Sequence, residues 1–312
     1  MYSLEELIMN ITFPFVTKSK GIKITIKKKR MKLSMGWTFL YLFMVLLVAF
    51  CALPLIFVVS TAFKPLDELF LFPPTYFVKH PTLDNFTNLV MALGTSTVPF
   101  ARFVYNSLLI TVITVFCTVV VSSMGAYSLV KHNPPGAKVL FNFVIAGLMF
   151  SPHVTQIPRY MVVNKLGLMD TLWAIIIPNI AVAYNFFLMK QFVEQFPNEL
   201  LEAGRIDGAN EFRLFLTIVM PALTPAWSTL VVFSFVSNWN DFFSPLIYIS
   251  DQAMKTLPLA LNTIGGGPSG MSIGRAGAMS AATFLMTIPT IIIFMVMQAR
   301  VMETMTHSGI KG

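Results

Sequence analysis

Charged residues are scarce in this chain. Asp, Glu, Lys and Arg make up only 12% of its 312 residues, whereas soluble domains carry about 25%. Hydrophobic residues account for 55%. This balance places the chain among integral membrane proteins before any motif is considered.

Side chains that usually bind metals or carry redox chemistry are also few. The two cysteines, Cys51 and Cys117, lie inside apolar runs, where a thiol packs as a small hydrophobe. The four histidines are scattered without the spacing of metal ligands. The sequence therefore predicts no disulfide, no redox role and no metal site.

Motifs for nucleotide binding and catalysis are missing as well. No G-x-x-x-x-G-K-[ST] occurs, so we expect no ATP binding through a P-loop. The segment 265–270 formally fits G-x-G-x-x-G, but it follows no strand of a βαβ unit and carries a proline in its turn. No H-E-x-x-H or G-x-S-x-G is present. We predict no catalytic residue and no cofactor held by this chain.

Long runs without any charged residue dominate the remainder. The six runs are 33–63, 103–130, 139–158, 171–189, 214–240 and 276–299. An α-helix rises 1.5 Å per residue, so roughly 20 residues cross a 30 Å hydrocarbon core. The sequence therefore predicts an all-α membrane protein with six transmembrane helices.

The basic residues indicate the orientation of these helices. Eight of the 22 Lys and Arg residues lie between Lys18 and Lys32, just before the first run, which favours contact with anionic lipid rather than nucleic acid. With the N-terminus inside, 15 basic residues fall in inner segments and 7 in outer ones, which predicts two cytoplasmic termini. The predicted domains are a basic cytoplasmic extension at 1–36, a six-helix membrane domain at 37–302 and a cytoplasmic tail at 303–312.

A polar loop at 194–221, between the fourth and fifth runs, is the most informative segment. It predicts one short helix from Pro197 to about Asp207, ended by Gly208 in a left-handed conformation, and a second helix over about 210–219. Three apolar residues of the second helix, at positions i, i+3 and i+4, are Phe212, Phe215 and Leu216. They predict one apolar face, which must pack on the spans or on another protein.

The pattern of this loop resembles the EAA loop of bacterial ABC-importer permeases, roughly E-A-A-x-x-x-G, nine residues, then I-x-L-P. The matching residues are Glu202, Ala203, Gly208, Ile218 and Pro221. Asp207-Gly208-Ala209 has the D-G-A form typical of the sugar-uptake branch, which includes the maltose permease pair. Two positions depart from the pattern, because Gly204 replaces Ala and Met220 replaces Leu; glycine loosens a helix by about 1 kcal/mol relative to alanine.

The resemblance covers the chain from about Trp37 onward and implies a type I ABC-importer permease fold with a cytoplasmic coupling helix. In such permeases the loop sits in a cleft of a cytoplasmic ATPase, whose closure on ATP and Mg switches the pore between its two open states. By that resemblance Glu202 would meet a basic group of the ATPase, and Phe212 and Phe215 would fill the cleft. The coupling site implied in this way comprises Glu202, Ala203, Gly204, Asp207, Gly208, Ala209, Phe212, Phe215 and Pro221.

The same resemblance implies the partners and the location. They are a second permease, two ATPase subunits and an extracytoplasmic solute-binding protein, assembled in a bacterial cytoplasmic membrane around a path for a sugar or oligosaccharide. The alternatives are a permease for a polyol or glycerol phosphate, an ion-coupled secondary carrier, and a non-transporting scaffold. Ionisable groups are almost absent from the spans, which argues against an ion-coupled carrier.

Polar and aromatic residues in the fourth and fifth runs are candidates for the solute path, because amides and aromatic faces bind sugars. They are Asn179, Tyr184, Asn185, Asn238, Trp239, Asn240 and Asp241. Two other roles are open to them. Intramembrane Asn often joins helices by hydrogen bonds, and Tyr and Trp often lie at the membrane interface.

Overall fold

The computed structural model describes residues 35–94, 98–265 and 276–308. No strand occurs in these three ranges, which are largely helical. The predicted basic extension, apart from its last two residues, lies outside them, as do residues 266–275, which include most of the G-x-G-x-x-G segment, and the last four residues of the predicted tail. The chain divides into two units, Met1–Cys51 and Ala52–Gly312.

The described part of the first unit, residues 35–51, is entirely helical and carries no charged side chain. It belongs to helix α1, Met35–Ala62, which also includes the first residues of the second unit. With 28 residues, α1 is long enough to cross a bilayer, and it coincides with the first predicted span.

The second unit contains the other helices. They are α2 Leu66–Leu69, α3 Asp84–Gly94, α4 Phe100–Tyr127, α5 Ala137–Met149, α6 Pro152–Lys165, α7 Trp173–Ile180, α8 Ala183–Gln195, α9 Asn198–Ile206, α10 Glu211–Leu214, α11 Met220–Ala222, α12 Thr224–Trp239, α13 Phe243–Tyr248, α14 Leu257–Gly265 and α15 Ala276–Ser308. A π-helical turn, Ser128–His132, extends α4, and a second one, Phe215–Val219, links α10 to α11.

Four segments of the described chain are long and apolar enough to span a membrane by themselves. They are Met35–Ala62, Phe100–His132, Trp173–Gln195 and Ala276–Met302. Two further pairs of helical segments pass the same test together but are bent, by 114° between α5 and α6 and by 78° between the segment Glu211–Ala222 and α12. If each bent pair counts as one span, the total is the predicted six.

The third predicted span is not one straight helix. Proline disfavours the helical conformation in the residue before it and is well suited to a helix's first turn. Accordingly Ser151 is extended, with ψ 138°, and Pro152 begins α6. Phe150 is extended as well. Helix α6 then continues through Pro158, where the charge-free run ended, to Lys165.

Helix α4 is the centre of the second unit. It packs on α7, α8 and α12, and α12 packs on α15. The buried side chains of α4 include several small polar ones, such as Thr114, Thr118 and Ser123. Small residues let helix backbones approach closely within a membrane, so the composition of α4 suits its central position.

One hydrophobic cluster includes both the 194–221 loop and the spans. Its fully or nearly fully buried members include Tyr127, Met189, Val193, Leu201, Leu214, Phe215, Val219 and Leu230. These residues belong to α4, α8, the loop and α12. The loop is therefore folded onto the chain's own helices as part of the same core.

A hydrogen-bonded junction fastens the C-terminal end of α1 to α3. The buried amide of Asn85 donates to the carbonyl of Ala62 at 3.0 Å and to that of Lys64 at 2.6 Å, satisfying carbonyls that a helix end leaves free. A side chain at position 277 of α15 would collide with the Asn85 oxygen, so this close approach requires Gly277.

Candidate functional site: the 194–221 loop and the polar residues of the fourth and fifth spans

Helix α9 forms the first half of the loop. It begins at Asn198, after Pro197 in an extended conformation, and ends at Ile206. The sequence placed both ends one residue further out, which is within the usual uncertainty of a helix end. Glu199 lies in its first turn, where a carboxylate interacts favourably with the free N–H groups of the helix.

The turn after α9 has the predicted conformation. Gly208 has φ +80°, in the left-handed region, which confirms the expectation for this glycine. The N–H of Ala209 donates to the carbonyl of Gly204 and that of Gly208 to the carbonyl of Arg205, both at 3.0 Å. This pair of bonds is a Schellman motif, and it gives Asp207-Gly208-Ala209 one defined shape.

The second half of the loop differs in part from the prediction. The Asn210 side chain accepts a hydrogen bond from the N–H of Arg213 at 2.8 Å and so caps α10. The α-helix then ends at Leu214, and residues 215–219 form the π-helical turn instead of continuing as α-helix. Pro221 follows in the first turn of α11, where its missing N–H costs no hydrogen bond.

Gly204 lies where α9 meets the rest of the loop. It is buried, and a β-carbon at this position would collide with the Leu214 and Ile218 side chains. The glycine that departs from the family pattern therefore permits close packing of α9 on the π-helical turn.

Phe212 and Phe215 do not share a face. Phe215 is only 5% exposed, with its ring 5.5 Å from that of Tyr127, whereas Phe212 is 62% exposed. The prediction of one apolar face is wrong, because Leu214 and Phe215 both point into the core, which leaves Phe212 and Leu216 outside. In this conformation Phe215 cannot fill a cleft on another protein.

The exposed side of the loop has apolar side chains among charged ones. We call it the loop surface and define it as Leu200, Glu202, Ala203, Ile206, Asp207, Gly208 and Phe212, all of them exposed. Ile206 is 86% exposed and was not among the predicted site residues. The sequence could have indicated it, because Ile206 is an isolated large apolar residue beside a predicted turn.

Lys131, near the end of α4, joins α4 to the start of the loop. Its ammonium group donates to the carbonyl of Phe196 at 2.6 Å and to the side-chain oxygen of Asn198 at 2.8 Å. These two acceptors lie where α8 ends and α9 begins. A charged donor thus holds the entry to the loop against α4.

Glu211 joins the far side of the same loop to α4. One carboxylate oxygen accepts from the Tyr127 hydroxyl at 2.8 Å and lies 3.3 Å from His132 Nε2. The other accepts from Arg205 Nε at 2.9 Å, and this bond raises the pKa of Arg205 above its ordinary value. The contact between Arg205 and Glu211 was not predicted, and its only signal in the sequence is a pair of opposite charges on either side of a predicted turn.

Two of the seven candidate path residues hold helices together. The Asn185 amide donates to the Ser234 hydroxyl at 3.1 Å, which links α8 to α12. The buried Trp239 indole donates to the carbonyl of Met286 at 2.9 Å, which links α12 to α15. For both residues the contacts match the alternative role of joining helices.

Three candidates at the end of α12 bond to nearby backbone. The amides of Asn238 and Asn240 donate to carbonyls four residues earlier, at 2.7 and 2.8 Å. The Asp241 carboxylate accepts from the N–H groups of Phe243 and Ser244, both at 3.0 Å. Asn240 is exposed, whereas Asn238 and Asp241 are half-buried.

The other two candidates lie on α7 and α8. The side-chain oxygen of Asn179 is 3.4 Å from a guanidinium nitrogen of Arg159 on α6. Tyr184 is exposed, and its ring lies 6.1 Å from that of Phe233 on α12. Tyr184 and Asn240 are therefore the candidates that keep an accessible side chain, and their role in solute passage stays a prediction.

Comparison with known proteins decides the family. Residues 118–307 match the family described as the inner membrane component of binding-protein-dependent transport systems. The chain belongs to this family. The permease is 35% identical to the protein LplC of Bacillus subtilis strain 168 over 221 residues, which cover 69% of this chain and 71% of LplC.

Other relatives carry names that specify transport. The permease is 29% identical to the arabinooligosaccharides transport system permease protein AraQ of Halalkalibacterium halodurans, over 85% of this chain and 93% of AraQ. It is also 29% identical to the polygalacturonan/rhamnogalacturonan transport system permease protein YtcP of Bacillus subtilis strain 168, over 88% and 97% of the two chains. The resemblance to carbohydrate-uptake ABC permeases is thereby confirmed.

The fold has a solved counterpart. A chain of a bacterial ABC transporter involved in the import of the acidic polysaccharide alginate superposes with a TM-score of 0.73. The match covers 85% of the permease and 98% of that chain at 20% identity. It confirms the predicted all-α fold of a type I importer permease.

Proposed function

We propose that this permease is one subunit of an ATP-driven importer that carries a sugar or oligosaccharide across a bacterial cytoplasmic membrane. Its partners would be a second permease, two ATPase subunits that bind ATP and Mg, and an extracytoplasmic solute-binding protein. The names of AraQ and YtcP support this class of solute.

The observation that carries the proposal is the construction of the loop surface. Ile206 and Phe212 are largely exposed, although other apolar side chains of the same short segment are buried. The same segment presents Leu201, Leu214 and Phe215 to the spans. Exposed large apolar residues on a rigid polar element favour a protein partner, and in this family an ATPase cleft fits that requirement.

The fastening of the loop explains how movement of the ATPase would reach the spans. Lys131 holds the start of α9, and Tyr127 holds Glu211 beyond the turn. Because the loop also shares a core with α4, α8 and α12, a displacement of the loop surface would be transmitted to these helices as a rigid-body shift. The proposed result is alternating access of the pore.

The orientation that this mechanism needs has independent support. The excess of basic residues in the predicted inner segments, 15 against 7, favours a cytoplasmic location for the loop and for both termini. The ATPase and the loop surface would then lie on the same side of the membrane.

The test is co-purification of the permease from its native membrane, followed by mass spectrometry of the intact complex. We expect recovery with an ATPase that contains a P-loop and with a second permease. Recovery of the permease alone, as a monomer or homodimer, would overturn the proposal and favour a secondary carrier.

The solute class is tested on the same complex in proteoliposomes. Its ATP hydrolysis is measured with the binding protein loaded with an oligosaccharide, a polyol or glycerol phosphate. Stimulation by the oligosaccharide-loaded protein alone is expected. Stimulation only by one of the other two ligands would contradict the sugar assignment while leaving the coupling mechanism intact.

A further inference from the structure

The loop that follows α1 carries a second exposed apolar surface, which the proposed function does not use. We call residues 70–77 the aromatic loop. It contains no charged residue. Its exposed large side chains are Phe70, Leu71, Phe72, Tyr76 and Phe77. Phe72 is 93% and Phe77 is 74% exposed, so an ordered part of the chain presents aromatic rings outward.

Two charged groups at the base of this loop, Lys64 and Glu68, are turned inward, whereas Asp67 and Lys79 are exposed beside them. The buried Glu68 carboxylate accepts hydrogen bonds from the N–H groups of Lys79 at 3.0 Å and His80 at 2.9 Å. The buried Lys64 ammonium donates to the carbonyl of Thr75. These bonds close the loop at its base and leave a tip without charge.

The position of the loop along α1 follows from one ring contact. Phe57 lies five residues before Ala62, the last residue of α1, so it is about 7.5 Å inside that helix end. The ring of Tyr76 packs edge-on against the ring of Phe57, with centroids 6.2 Å apart. The aromatic loop therefore folds back along the spanning helix instead of extending away from the membrane.

The position of Lys64 also places the base of the loop beside the last turns of α1. Its ammonium lies 5.7 Å from the centre of the Phe57 ring. A long basic side chain that keeps its charge bonded while its stem lies along apolar surface is typical of the membrane interface. Tyr and Trp are also enriched there, and Tyr76 is the member of this loop that packs on α1.

We propose that the aromatic loop is a lipid-binding element that inserts into the boundary between head groups and acyl chains of the outer leaflet, beside α1. The solute-binding protein is the less favoured occupant. A soluble partner would approach from water, whereas this tip is uncharged and lies beside the final turns of a transmembrane helix.

The test measures what surrounds the aromatic loop. The complete complex is placed in phosphatidylethanolamine–phosphatidylglycerol nanodiscs, and Cys51→Ala and Cys117→Ala remove the native thiols of this permease, which is labelled before assembly with its partners. A nitroxide spin label is attached at Phe72→Cys. The matched control is a label at Asn88→Cys, an exposed polar position on α3. Collision rates are measured with oxygen, which concentrates in lipid, and with a water-soluble nickel chelate.

We expect the Phe72→Cys label to collide with oxygen several-fold more often than with the chelate, and the Asn88→Cys label to show the reverse. Equal access of the chelate to both labels would overturn the proposal. Protection of Phe72→Cys from both reagents would also overturn it, in favour of a protein occupant. If the Phe72→Cys variant does not assemble, Phe77→Cys gives the same discrimination. The measurement requires no transport, so its failure is distinct from failure of the proposed function.

Discussion

The 194–221 loop and the predicted outer loop, residues 63–83 between α1 and α3, are attached to the helices around them by different buried side chains. Both fasten a non-spanning segment to a bundle of apolar helices. The first loop uses apolar side chains such as Leu201 and Leu214, which enter the core of the spans. The second uses buried polar groups, because Asn85 and Glu68 bond to backbone atoms that no helix or strand satisfies.

This difference implies different modes of failure. Removing a buried methyl group from the 194–221 loop leaves a cavity, whose cost depends on how far its surroundings collapse. Removing a polar partner from the outer loop leaves buried N–H or C=O groups without a hydrogen bond. The cost is the free energy of keeping these groups out of water with no partner. The following substitutions separate the two cases.

The largest effect is expected from Gly208→Pro. Proline cannot adopt φ +80° and has no N–H to donate to the carbonyl of Arg205, so the Schellman turn would be lost at a cost of about 3 kcal/mol or more. Solute uptake in cells should fall to background, while the spans still insert. The control is Gly208→Asn, because asparagine tolerates the left-handed conformation. Full uptake by the proline variant would refute the coupling role of the loop.

Leu214→Ala should be the next most harmful. Leu214 is fully buried in the cluster shared by the loop and the spans, and such truncations cost about 2–5 kcal/mol. The thermal unfolding temperature of the purified permease should fall, and uptake should fall with it. Leu216→Ala, two residues away and exposed, should change stability by less than about 0.5 kcal/mol. Equal effects of the two substitutions would argue against the packing of this loop.

The spans could be predicted from sequence because a bilayer imposes one simple requirement, a long run without charge. The bend before Pro152 was also encoded in the chain, since a proline disfavours helix in the residue that precedes it. Counting charge-free residues ignores that signal, so the third run was predicted as a single span and α6 was not extended to Lys165.

The loop was only partly predictable, for a different reason. Gly208 indicates a left-handed backbone conformation from sequence alone, because few other residues adopt that conformation at low energetic cost. Periodicity placed Phe212 and Phe215 on one face, but it cannot say which side of a helix meets the core. The bond between Tyr127 and Glu211 joins residues 84 positions apart, and nothing in the local pattern of one sequence indicates such a contact.

Glu68→Gln tests the hydrogen-bonded base of the outer loop. The substitution keeps the size of the side chain but replaces a charged acceptor of two backbone N–H groups with one neutral carbonyl, at a cost of about 1–3 kcal/mol. Trypsin added from the outer side should cleave after Lys79 faster than in the unmodified permease. Asp67→Asn, at an exposed neighbouring position, should leave the rate unchanged. An unaltered rate in both variants would mean that Glu68 does not hold the loop closed.

The smallest change in stability, and the most specific one in function, is expected from Glu211→Gln. The carboxylate is about half exposed, so its ion pair with Arg205 contributes at most about 1 kcal/mol, and the unfolding temperature should hardly move. The amide replaces the charged acceptor between Arg205 and Tyr127. A displacement of the loop would therefore be transmitted to α4 less completely. The ratio of solute imported to ATP hydrolysed by the reconstituted complex should therefore fall. Glu199→Gln, which removes an exposed carboxylate of the same loop without a bond to α4, should preserve that ratio. If both variants import equally well per ATP, the movement of the loop must reach the spans through its other contacts, such as the bonds of Lys131 and the apolar packing of Leu214 and Phe215.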